Sequence, residues 1–136
     1  MKRLLTILFL AAAAADAPQP AEAHARANQA GLVRELGDAL SIPNVAADKP
    51  NIRRKAEFLR GRVETRGFTT EILETVGNPL VFAEMKAAGA TRTPLLYAHY
   101  DGQPVDPKGW KQESPFKPIL RNGKMDDGAT EVAGLG

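Results

Sequence analysis

Two side chains able to do chemistry stand close together late in the sequence. They are His99 and Asp101, within "TPLLYAHYDGQPVDPKGW", Thr93 to Trp110. Residues two apart on an extended chain point to the same side, so this imidazole and this carboxylate can meet. A neutral imidazole is a good zinc ligand, and a carboxylate beside it fixes the ring orientation and raises its basicity. The competing reading is a solvated or ion-paired histidine, and a His-x-Asp triplet alone does not decide between the two. A nucleophilic triad is disfavoured: the chain has no cysteine, and neither Ser41 nor Ser114 sits in an elbow context. The other histidine, His24, lies in the N-terminal leader.

The pair needs a strand to hold it. Thr93 to His99 reads as that strand, and its nearly continuous apolar "LLYA" predicts an interior position covered on both faces. In open α/β sheets ligands gather at the carboxyl ends of strands, where His99 and Asp101 would project. The turn Gly102 to Pro104 then carries the chain away. Upstream, Leu32, Val33, Leu36 and Leu40 recur at helical spacing and predict a helix over Asn28 to Leu40, stopped by Ser41-Ile42-Pro43-Asn44. A second helix starts at Asp48 with Pro50 just inside. Its stripe is Ile52, Ala56, Leu59 and Val63, and Gly67 follows its last turn. Strands are expected over Phe68–Val76 and Pro79–Met85, joined by a Gly-Asn-Pro turn. Helices followed by closely spaced strands give an α/β fold class. Beyond Asp101 the prolines at 104, 107, 115 and 118 punctuate a loop expected to be pinned by Trp110 and Phe116.

Lys2 and Arg3 precede an apolar run from Leu4 to Ala15, followed by small residues and prolines. That order predicts a secretory signal peptide over residues 1–25, cleaved after Ala23 or Ala25, and hence an exported protein, periplasmic or extracellular. The run is too short to span a bilayer, so no membrane association is expected after cleavage. Export without cysteines leaves stability to a core, a metal or a partner. The net charge of +2 is small, and the one basic run, "IRRKAEFLRGR", is broken by Glu57 and Glu64. It reads as a solvated helix face, and no nucleic-acid partner is expected.

The stretch "LLYAHYDGQPVDPKGW" with the later "SPFKPIL" resembles the zinc-dependent exopeptidases of the carnosinase and aminoacylase type, metallopeptidase family M-twenty, and in particular its dipeptidase branch. The resemblance rests on His99, Tyr100, Asp101, Gln103, Pro104, Asp106 and Pro107, then Trp110, Pro115, Phe116 and Pro118. It implies that residues 26–136 form the N-terminal part of an α/β/α sandwich. It implies His99 as ligand to one ion of a two-zinc, Zn(2+) centre, and Asp101 as the catalytic-site carboxylate orienting that imidazole. It also implies a small peptide substrate, hydrolysis by metal-activated water, and packing roles for Trp110 and Phe116 beneath the site. Members of the family often carry an inserted dimerising domain, which suggests a homodimer for a full-length enzyme.

The family's bridging aspartate, its later ligands and its glutamate base lie downstream of His-x-Asp. Here Gly123-Lys124-Met125 resembles the lead-in to that region, but "DDGATEVAGLG" follows, without Gly-Arg-Gly or Asp-x-Lys-Gly. The expectation is a truncated catalytic domain that hydrolyses nothing alone; a shifted ligand at Asp126 or Asp127 is the rival reading. An amidohydrolase acting on N-acyl amino acids, or a non-catalytic exported module, are the alternative functions.

Overall fold

The computed structural model describes residues 20–132. Most of the expected leader therefore lies outside the described residues. The chain divides into two compact units, with the boundary between Leu32 and Val33.

In the first unit, helix α1 runs Pro20–Ala27, and Arg26 reaches back to Glu22 at 2.5 Å, one turn away. Helix α2, Gln29–Leu40, begins in this unit and ends in the second. Among the described residues no helix is long and apolar enough to cross a membrane.

The second unit is organised by helix α3, Lys49–Glu64. Asp48 caps it: Oδ1 accepts from the Asn51 amide at 3.2 Å, and Oδ2 accepts from the Asn51 side chain at 2.7 Å. Pro50 sits in the first turn, where its missing N–H removes no helical bond. Ile52 and Ala56, one turn apart, are fully buried, while Leu59 and Val63 further along the same stripe are half-buried. Beyond Glu64 the chain closes with the Gly67 N–H donating to the Glu64 carbonyl, and Gly67 takes a φ of 86°. Only glycine adopts that conformation without a Cβ clash.

Strands β1, Thr69–Leu73, and β2, Leu80–Glu84, form an antiparallel hairpin in register Thr69↔Glu84 through Leu73↔Leu80. Both expected strands are therefore present, each shorter than the apolar pattern suggested. Arg53 of α3 grips Glu74 through both carboxylate oxygens at 2.6 Å, tying the helix to the hairpin loop. The result is a mixed helical and antiparallel arrangement, compatible with an α/β fold.

One expectation is corrected. The third strand does not form: Thr93–His99 lies in no strand and has no ladder partner among the described residues. Leu95 and Leu96 are each 91% exposed and Tyr97 is 86% exposed, the opposite of an interior strand. Composition reports how well side chains fit a pleated surface, whereas a strand also needs a neighbouring edge to bond to. The helix expected over Asn28 to Leu40 is present as α2, with Leu36 and Leu40 exposed. The face turned to α3 carries Glu35, held by Arg62 and Arg66, and the Ala39 carbonyl, which accepts from Lys55 Nζ. Polar bonds outside the apolar pattern thus set the rotation of α2.

Candidate metal-binding site

The corner around His99 is held by its backbone neighbours. The Gly102 N–H donates to the Asn44 carbonyl at 2.7 Å, and the Ala46 N–H donates to the Gly102 carbonyl at 3.0 Å. These bonds form a short parallel bridge between Val45 and Gly102. The Asn44 side-chain amide adds a bond of 3.1 Å from Nδ2 to the Tyr100 carbonyl. A Cβ on Gly102 would lie 3.1–3.3 Å from the Asn44 side-chain atoms, a tight contact that would shift the Asn44 amide by a few tenths of an ångström.

From the other side, the Tyr100 hydroxyl donates to the Pro79 carbonyl at 2.5 Å, at the entrance to β2. Burial, and secondarily the Asp101 charge, push the Tyr100 phenol above its ordinary pKa, which keeps the donating proton in place. Asn78 completes the corner by donating to the Ala46 carbonyl at 3.1 Å while accepting from Lys49 at 2.7 Å.

On this held backbone the side chains of His99 and Asp101 meet. His99 Nδ1 lies 3.3 Å from Asp101 Oδ1 and 3.0 Å from the Asp101 carbonyl oxygen. Both neighbours are acceptors, so in the neutral ring Nδ1 must carry the proton, assigned here from its partners. Nε2 then keeps its lone pair, and the imidazole is 76% exposed. Beside it opens a groove of about 480 Å³, walled by Leu59, Val63, Leu80, Val81 and Leu96.

The structure brings His99 and Asp101 together and leaves the other candidates apart. Asp126 and Asp127 lie in a 3₁₀ turn, Met125–Asp127, where Asp126 pairs with Lys111 at 2.9 Å. Trp110, which follows a second 3₁₀ turn, Pro107–Gly109, is exposed, and Phe116 is half-buried. Among the described residues no group of three or more His, Cys, Asp or Glu side chains could hold a metal ion. A catalytic zinc needs about three protein ligands plus water. The residues present therefore fit one ligand and its orienting carboxylate, but not a complete centre.

Asn44 is the residue that sequence reasoning missed. Its position after Pro43 marked only the end of a helix, and a contact made 56 residues further on leaves no local pattern.

No protein-family model matches the chain, and no solved structure matches it. Among curated proteins it is similar to the Cys-Gly metallodipeptidase DUG1 of Candida albicans. The two are 33% identical over 102 aligned residues, which take in 62% of this chain. The chain spans about a fifth of that relative's length, 21%. The likeness supports a distant relationship to a metallodipeptidase.

Proposed function

We propose that this chain carries the first ligand segment of a metal-dependent peptidase acting on dipeptides such as Cys-Gly. One observation carries the reading: His99 is held through Nδ1 by Asp101, and its exposed ring stands at the edge of an apolar groove with Nε2 making no hydrogen bond to the described residues. That is the arrangement a metal-binding imidazole needs. The similarity to a metallodipeptidase supports it independently.

In this reading His99 binds one zinc ion of a pair and Asp101 orients the ring. The metal would polarise the scissile carbonyl and supply hydroxide from water. The described residues supply one ligand and its orienter, and hydrolysis by the described residues alone is accordingly not expected. The charged and apolar order of the first residues supports export, with the peptidase acting outside the cytoplasm.

The test is zinc titration of the ¹⁵N-labelled chain followed by NMR. Zinc should shift His99 Nε2 selectively, and His99→Ala should abolish the site. Stoichiometric binding that survives His99→Ala, or perturbation confined to His24, would overturn the proposal.

A further inference from the structure

The geometry points to Asn44 as the positioning residue of the His99–Asp101 pair. This deepens the reading of His99 as a metal ligand and takes its chemical meaning from that reading.

Three bonds run from the Asn44–Ala46 loop to the backbone that carries the pair. They are the Gly102 N–H to the Asn44 carbonyl, the Ala46 N–H to the Gly102 carbonyl, and Asn44 Nδ2 to the Tyr100 carbonyl. Two of them are backbone bonds and survive substitution. The third belongs to the Asn44 side chain, and it grips the carbonyl of the residue that separates His99 from Asp101. Orientation of the Tyr100–Asp101 peptide sets where the Asp101 side chain starts, and so where Oδ1 stands relative to Nδ1. The Asp101 carbonyl belongs to the next peptide, whose Gly102 N–H is held by the Asn44 backbone. Without that grip the Tyr100 carbonyl is unheld, and the restraints left near the pair are the two backbone bonds at Gly102 and the Tyr100 hydroxyl on Pro79, at the end of a long side chain. His99 and Asp101 are themselves 76% and 41% exposed, so little packing holds them in place.

The close packing at Gly102 supports the same conclusion. The Asn44 amide lies so near Gly102 that a methyl group there would have to move it by a few tenths of an ångström. Asn44→Asp keeps the shape but replaces the donor with an acceptor facing the Tyr100 carbonyl, and Gly102→Ala pushes the donor away. Both substitutions should act through one bond.

The readout is the tautomer of the neutral His99 ring, from the ¹⁵N shifts of Nδ1 and Nε2, alongside the helical circular dichroism signal. It needs no metal and no substrate, so it stands or fails apart from the peptidase reading. In the wild-type chain the Nδ1–H form should dominate. Asn44→Asp and Gly102→Ala should each shift the ratio towards Nε2–H by about two- to tenfold, the worth of one weakened hydrogen bond of about 0.5–1.5 kcal/mol. Helical signal should remain, and the double variant should be no worse than the worse single one. Unchanged tautomer in Asn44→Asp, or additive losses in the double variant, would overturn the assignment. Loss of the helical signal would overturn it too, because Asn44 would then hold the fold rather than the site.

Discussion

Protonating Glu35 should loosen α2 from α3 at a pH set by the two arginines beside it. Glu35 accepts from Arg66 Nη2 at 2.7 and 2.8 Å through its two oxygens, and also from Arg62. Those hydrogen bonds, Arg62 first and Arg66 second, hold its pKa down from an ordinary 4.5 to about 2. At 1.36 kcal/mol per tenfold, that difference has a ceiling of about 3 kcal/mol. Solvent reduces it. Glu35 is 23% exposed, but Arg62 and Arg66 are 42% and 45% exposed, and pairs reaching that far into water are worth about 1 kcal/mol or less.

The expected net contribution is therefore about 1 kcal/mol, with the two-arginine geometry placing it at the top of the exposed range. A carboxylate whose folded pKa is depressed stabilises the fold fully above its unfolded value. That stability disappears as pH falls from about 4.5 towards 2. Urea unfolding of the wild type and Glu35→Gln should differ by about 1 kcal/mol at neutral pH, converging as the solution is acidified through that window. A difference that persists unchanged at the acid end, or none at neutral pH, would refute the ion-pair account.

Other outcomes follow from the core and the buried amine. Ile52→Ala removes one of the two fully buried apolar side chains among the described residues and should cost about 2–4 kcal/mol by urea unfolding; a cost under about 1 kcal/mol would mean the site collapses without a cavity. Lys55 is buried, and that burial lowers its pKa, so the folded chain gives up this proton before the unfolded chain does. Wild-type stability should therefore rise relative to Lys55→Met as pH climbs towards 10.5, and a flat difference over that range would exclude the buried amine as its source.

Local signals made α3 and its hairpin legible. Asp48 and Pro50 at the start, the Ile52–Ala56–Leu59–Val63 stripe and Gly67 at the end each act within a turn or two, and the structure places all of them as the spacing implied. The hairpin followed from two β-rich runs separated by Gly-Asn-Pro. The rotation of α2 was not legible, because Glu35 and the Ala39 carbonyl are fixed by residues far along the chain. Thr93–His99 failed for a related reason. Its side chains suit a strand, but no β-propensity scale records whether an edge is present to receive it.

The candidate site shows the same division more sharply. That His99 and Asp101 share a side follows from their spacing, whether or not a ladder forms around them. Which nitrogen of His99 is left free does not follow from spacing, because two acceptors of Asp101 decide it. Their placement depends in turn on a backbone held from Asn44, across a separation of 56 residues. The paired side chains are therefore readable from the order of residues, whereas the tautomer that would make His99 a ligand is a property of the fold. A substitution at Asn44 would leave the His-x-Asp pattern intact in the sequence and still remove the geometry that gives it chemical meaning.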